Sequence, residues 1–361
     1  MTSTLTTDLS RFVIAEGHRD NFEITLRADR SEPHPVRDSM LERLRTAGTN
    51  LTIIAVGGDG PHHRAGSDRP LEGSLQVLDL FLTECEDWPK FRVVRNATDL
   101  PTAGDDDVLR LVLEIEGGRP FQNDYSSGLN EGQKLCLLRT FFRLGIRSIH
   151  LTHQGRNELG DGLNELGSGG KLSRFGVSVI EEAARLGMLV SLSHLTPECY
   201  FHALDVAEGP MLATHSNVAA LTPHPRNLTD AQMRALAAGG GVMGIHGVAS
   251  FLDRSKPMHE SFVDHIVYAA DLIGAEHVGF GIFGSDLGYV EVFPNTRNSM
   301  FVTPRYPDGV TYAQQAEIMV AGLESRGMSR DEIALVLGGS YLRVMREVLP
   351  SEVRQTASVE L

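Results

Sequence analysis

Basic charge is scarce in this chain. Its 33 Lys and Arg face 47 Asp and Glu, a net charge of −14. A phosphate-binding surface needs the opposite balance, which argues against nucleic acid as a partner. Cysteine is scarcer still. Cys85, Cys136 and Cys199 are odd in number and far apart, so they build neither a disulfide framework nor a zinc–thiolate spacing. That usage fits a reducing compartment. No run of about 20 apolar residues is present, so no membrane span is expected. The opening MTSTLTTDLSRFVIAEGH lacks a basic region ahead of an apolar run, and the closing SEVRQTASVEL has no lipid-anchor pattern. Together these lacks predict a cytoplasmic protein. What remains is ordinary globular composition, with 41% hydrophobic and 22% charged residues. The 361 residues are enough to bury a large core and are expected to form a single domain over 1–361.

Short apolar runs alternate with amphipathic ones. Strands are predicted at Phe12–Glu16, Leu51–Val56, Leu109–Ile115, Ser148–Leu151, Leu189–Leu192, Met211–Ala213, Gly241–Ile245 and His277–Gly281. Helices are predicted at Leu71–Glu86, Leu129–Leu144, Ser173–Leu186, Thr196–Ala207, Thr229–Ala238, Ser261–Ile273, Tyr312–Ser325 and Ser329–Val348, the last with a break at Gly338-Gly339. Gly145, Gly187 and Gly274 follow helical runs as C-caps would. This alternation points to an α/β protein, a (β/α)₈ TIM barrel. A doubly wound open sheet is the competitor, but no G-x-G-x-x-G follows the first strand. Long polar loops at Gly57–Pro70, Gly117–Ser127, Gln154–Lys171 and Leu287–Pro307 are candidates for function.

Several strands end in residues that carry chemistry. His18 and Asp20, in Gly-His-Arg-Asp, are two apart and share a strand face. Imidazole with carboxylate suits a metal such as zinc. Glu116 ends an apolar run just before two glycines, and such a carboxylate is costly unless paired or metal-bound. Glu114, one step deeper on the same face, is expected inside the barrel, paired with Arg110. His194 follows Met188, Val190 and Leu192 on one face, and His215 follows Met211 and Ala213, so each reads as the last inward residue of its strand. One such histidine is more often a satisfied core or rim residue. Five metal-binding types at equivalent strand ends converge where a barrel builds its site. His153, Arg226 and Asp286 also lie in loops after strands, where hydrogen bonding is as good an explanation as catalysis. His62, His63 and His246 read as pocket-lining or structural. His34, His202, His259, His265 and His277 read as surface or packing residues, and Cys199 and Met243 as core.

Taken in order, the pieces Gly-His-Arg-Asp, Glu-Gly-Gly, Leu-Thr-His, Arg-Leu-Gly-Met-Leu-Val-Ser-Leu-Ser-His, Thr-His-Ser, Pro-His-Pro-Arg-Asn-Leu-Thr-Asp and Leu-Gly-Gly-Ser-Tyr-Leu-Arg-Val resemble the renal or membrane dipeptidase family of zinc peptidases. The likeness runs from about residue 11 to 349. It implies a soluble, bacterial-type member with an amidohydrolase-like site at the C-terminal face of the barrel. It further implies two Zn²⁺ ions, one on His18 and Asp20 and one on His194 and His215, with Glu116 bridging. By the same resemblance His153 contacts the substrate carbonyl or its oxyanion, Arg226 holds a substrate carboxylate, and Asp286 orients water and carries its proton to the leaving amine. The expected reaction is hydrolysis of a dipeptide or dipeptide-like amide, and the expected assembly is a homodimer.

The chain also departs from that family. The first motif usually reads His-Asn-Asp, so a cationic Arg19 near the mouth is expected to alter substrate choice. The segment Gly-Phe-Gly-Ile-Phe-Gly-Ser-Asp-Leu-Gly lacks the second acid of the usual Asp-Phe-Asp-Gly. Two rival functions follow. One is a related metal-dependent amidohydrolase acting on a modified amide, a lactam or a biosynthetic conjugate. Its common signature has His-x-His after strand one and a lysine after strand four, neither of which is here. The other is a non-catalytic small-molecule binding protein, which the loss of a ligand would support.

Overall fold

A computed structural model describes residues 9, 12–59, 70–104, 107–122, 135–253, 255–281 and 312–351. Its strands are β1 (Ala15–Glu16), β2 (Leu51–Gly58), β3 (Phe91–Val93), β4 (Leu109–Glu116), β5 (Ile146–His150), β6 (Leu189–Ser191), β7 (Leu212–Ala213), β8 (Val242–Ile245) and β9 (Val278–Phe280). All pair in parallel, in the order β2-β1-β9-β8-β7-β6-β5-β4, and a β2–β4 ladder closes the ring into an eight-stranded barrel. β3 stands outside this ring. β2 covers one edge of β4 from Arg110 to Glu116. On the other edge β3 takes Leu109–Leu111 and β5 takes over from Leu113.

The helices are α1 (Phe22–Asp29), α2 (Met40–Thr46), α3 (Pro70–Asp87), α4 (Cys136–Leu144), α5 (Arg174–Leu186), α6 (Pro197–Val206), α7 (Asp230–Ala238), α8 (Met258–Ile273), α9 (Tyr312–Ser325), α10 (Arg330–Ala334) and α11 (Ser340–Val348). Ser173, Thr196 and Thr229 start α5, α6 and α7 by accepting the N–H of Gly176, Cys199 and Gln232. Gly145 and Gly187 end α4 and α5 in the left-handed region, as the sequence predicts. The periodicity does not anticipate α1 and α2. They are short, and tertiary bonds hold them: Glu23 of α1 accepts from Met40 N–H and Arg43 of α2. Among the described residues no helix is long and apolar enough to cross a membrane.

Strand alternation sorts two cores. Ala15, Leu51, Ile53, Val112, Leu189, Leu212 and Val242 fill the lumen and pack on Tyr341, Leu342, Val344 and Met345 of α11. Ile54, Val56, Leu113, Val190, Leu192, Ala213 and Ile245 face the helices in a separate cluster. α11 therefore plugs the N-terminal end of the barrel, and its Tyr341 reaches upward. A Cβ at Gly17, Gly244 or Gly279 would come within 1.9, 2.2 or 2.6 Å of Tyr341 atoms, so these glycines make its space. The helical run read as Ser329–Val348 is broken, as expected, by a π-helical segment over Leu335–Gly339. At Gly338 a Cβ would meet the Val13 carbonyl at 2.5 Å, so only bare backbone fits there.

Candidate metal centre

β4 is long enough to fix its own phase. With Val112 in the lumen, Glu114 and Glu116 follow on the same face, as the alternation predicts. Glu116 tops this row and is 1% exposed. Its Oε1 lies 3.6 Å from His18 Nε2, 3.1 Å from His194 Nε2 and 3.5 Å from His215 Nε2. His18 Nε2 is also 3.6 Å from Asp20 Oδ1. The five candidate ligands thus meet at one place. Among the described residues two groups of possible ligands share the glutamate, His18–Asp20–Glu116 and Glu116–His150–His194–His215, and a third joins His18, Glu114 and His150.

The route by which two of them arrive differs from the expected one. On β6 and β7 the lumen residues are Leu189 and Leu212, while Val190, Leu192, Met211 and Ala213 face the helices. His194 and His215 are therefore not the last inward residues of a continuous alternation. They follow strands that end at Ser191 and Ala213, and the backbone beyond re-aims them. His194 adopts φ 76°, a left-handed conformation that a non-glycine residue rarely takes. Such strain gathers at functional sites.

Electrostatics divides the groups. Burial alone would depress His18, but Glu116, Asp20 and Glu114 outweigh it and hold His18 well above its ordinary value. Burial, with Arg226 nearby, holds His194 well below its own. Burial and His18 do the same for His215. Burial opposes charge on Glu116, yet His18, His150, His153 and His194 keep it ionised well below the usual carboxylate range. The neutral imidazoles of His194 and His215 with the ionised Glu116 are what a divalent transition metal binds. The Nε2 atoms of His194 and His215 are only 2.8 Å apart and converge on the same carboxylate oxygen. This donor set fits a metal.

The sequence profile of the membrane dipeptidase family, peptidase family M19, matches residues 9–358. The chain belongs to the membrane dipeptidase family. Dipeptidase verJ of Clonostachys rogersoniana is 35% identical over 75% of the chain, and Dipeptidase tcpJ of Claviceps purpurea is 30% identical over 67%. The chain spans 60% and 54% of the length of these relatives. A metallo peptidase from Rhodobacter sphaeroides, solved with a phosphinate mimic of the dipeptide L-Ala-D-Ala, superposes with a TM-score of 0.75. It is 20% identical and covers 94% of this chain and 99% of its own, which supports the fold alone. Membership places the chain in a family of metal-dependent hydrolases.

In this membrane dipeptidase family member the remaining sequence candidates fall as follows. His153 is half-buried with its ring 4.5 Å from that of His194. Arg226 is buried; its Nη2 lies 3.2 Å from His194 Nε2 and donates to the His215 carbonyl at 3.1 Å. Burial brings its pKa down to about 10. Arg226 and His194 border a cavity of about 280 Å³ lined also by Leu163, Leu166, Leu192 and Leu195. His246 is buried against the site, its ring 5.3 Å from that of His215. His265 is a packing residue whose Nδ1 accepts the Val218 N–H. Asp286, His62 and His63 lie outside the described residues.

Two expectations are corrected. Glu114 does sit in the barrel, but its partners are His18 Nδ1 at 2.9 Å and Ser148 Oγ at 2.5 Å, while Arg110 donates to the Val108 carbonyl. Arg19 does not bring charge to the mouth. It is fully buried and paired with Glu16, which also accepts from Thr52, on the face opposite the lumen residue Ala15. Two residues were missed. His150 is fully buried with Nδ1 3.6 Å from Glu116 Oε1. Its signal is the pair His150 and His153 around the end of one strand. Asp59, just after β2, accepts from Arg119 N–H and Asn157 Nδ2, and burial pushes its carboxyl up to about 6.

Proposed function

We propose that this chain is a zinc-dependent dipeptidase that hydrolyses the amide bond of dipeptides or dipeptide-like substrates. The observation that carries the reading is Glu116, one buried carboxylate shared by two groups of metal-binding side chains. His18 and Asp20 would hold one Zn²⁺, His194 and His215 the other, and Glu116 would be available to both. When bound, such a pair supplies Lewis acidity and a water activated at neutral pH.

The chain's own residues do the rest. Arg226 keeps its charge at neutral pH despite burial, and it anchors a substrate carboxylate beside His194. That contact sets which amide reaches the ligands. His153, against His194, donates to the substrate carbonyl oxygen as it gains negative charge. Asp286 accepts the proton from water and delivers it to the leaving amine. The same reading takes 1–361 as one barrel domain, a cytoplasmic protein and a homodimer. The three free thiols support a reducing compartment.

The test is metal content of the purified protein together with a dipeptide panel assayed before and after chelation. About two zinc ions per chain with chelator-sensitive cleavage is the expected result. Two ions without dipeptide cleavage would move the search to modified amides. No metal after zinc reconstitution would overturn the reading and favour a binding protein.

A further inference from the structure

Each half of the site rests on a histidine whose second nitrogen is also engaged. His18 turns Nε2 to Glu116 and Asp20, and its Nδ1 lies 2.9 Å from Glu114 Oε1. His215 turns Nε2 to Glu116, and its Nδ1 lies 2.9 Å from Thr214 Oγ1. His150 stands between the two supports. Its Nε2 is 3.0 Å from Thr214 Oγ1 and 3.5 Å from Glu114 Oε2. Its ring stacks near that of His18, at 5.5 Å and 20°, and that of His215, at 5.2 Å and 28°. Glu114, His150 and Thr214 are all 0% exposed. Ser148 fixes the Glu114 end, and Ser191 and Tyr341 fix Thr214 through its hydroxyl and its carbonyl.

We propose that His150 is a positioning residue that couples the two halves of the site through a buried polar strap, Glu114–His150–Thr214. The proposal rests on the metal-binding reading above. A metal-binding imidazole holds its ring plane and tautomer through the bond made by its other nitrogen. Here those bonds, from His18 and His215, end on two groups that share one partner. Glu114 and Thr214 are fully buried, so removing His150 leaves each with one contact fewer away from the protein surface. Register puts His150 there: it pairs with Glu116 across β4–β5 and with Ser191 across β5–β6, so strap and shared carboxylate lie in one layer.

The test compares zinc affinity, by chelator competition, in wild type, His150→Leu, Glu114→Gln and Thr214→Val, with the melting temperature of each. His150→Leu is expected to weaken both ions by about 10–100-fold. Glu114→Gln is expected to weaken one ion, and Thr214→Val the other. A purely structural residue would lower the melting temperature and leave affinity unchanged. A folded His150→Leu protein with wild-type affinity for both ions overturns the proposal. If that variant does not fold, wild-type affinities in both Glu114→Gln and Thr214→Val overturn it. A structure of metal-free His150→Leu reads the strap without any ion: the two 2.9 Å Nδ1 contacts should break, and their survival refutes the strap. Failure of the metal-binding reading shows instead in wild type, as a protein that takes up no zinc.

Discussion

The two halves of the site should load with different pH dependence. His18 sits among Glu116, Asp20 and Glu114, which overcome its burial and hold it well above its ordinary value. At neutral pH the metal-free protein therefore keeps a proton on His18, and an ion must displace it. His194 and His215 are held well below theirs, by burial together with Arg226 and neighbouring histidines, so they are already neutral. An ion bound there releases no proton. One displaced proton makes apparent affinity rise by up to about tenfold per pH unit, about 1.4 kcal/mol, across the range below the raised His18 value. The partner half should be flat over that range. Because a first ion would expel the His18 proton by charge alone, each half must be read without the other. His215→Ala reports the His18 half and His18→Ala reports the His194/His215 half. Calorimetry in two buffers of different ionisation enthalpy counts the protons: about one for the first variant and about none for the second. Equal counts, or the reverse order, would refute the electrostatic assignment. The same His18 proton stabilises the metal-free fold fully below about pH 6.5, and that stability is lost as pH rises through the raised value.

Three further outcomes follow from particular contacts. Tyr341→Ala should cost about 3–5 kcal/mol in chemical denaturation by emptying the barrel floor. Gly279→Ala, whose Cβ would press on the Tyr341 ring at 2.6 Å, should be relieved in the double variant by about 1–3 kcal/mol. Gly244→Ala should gain no such relief, because the Thr214 carbonyl still stands 2.2 Å away; additive behaviour at Gly279 would contradict the packing. Arg226→Ala should lower kcat/KM about 10–100-fold, mostly through KM, for dipeptides but not for dipeptide amides that lack the carboxylate. Asp59 has its carboxyl raised to about 6, so folding stability falls as pH climbs from about 4 to that value. Asp59→Asn removes this term. Its stability relative to wild type should rise across that window by up to about 3 kcal/mol, and a constant difference would exclude the titration.

The part of the site legible in the sequence is the part that long strands fix. β4 runs for eight residues, so Val112, Glu114 and Glu116 declare one face without help from any neighbour. β6 and β7 run for three and two residues, too few to carry a phase. Alternation there put Val190 and Ala213 in the lumen, where the fold has Leu189 and Leu212. His194 and His215 were still found, because the residue types at strand ends were right even though the geometry that delivers them is not alternation. The same limit explains Arg19. Its direction depends on which face Glu16 takes in a two-residue β1, and only the bond to Thr52 of β2 shows that.

His150 shows the deeper limit. Apart from His153 three residues on, nothing local separates it from a packing histidine, since it follows Ile149 and precedes Leu151, both of the outer core. Its importance lies in register, which places it opposite Glu116 on one side and Ser191 on the other. Two strands distant in sequence must be aligned before that layer exists. Metal-binding types at strand ends can therefore be read along a single chain, whereas the polar groups that orient them belong to the closed barrel. A substitution at His150 would thus look mild by residue type, and its effect should fall on both halves of the site together.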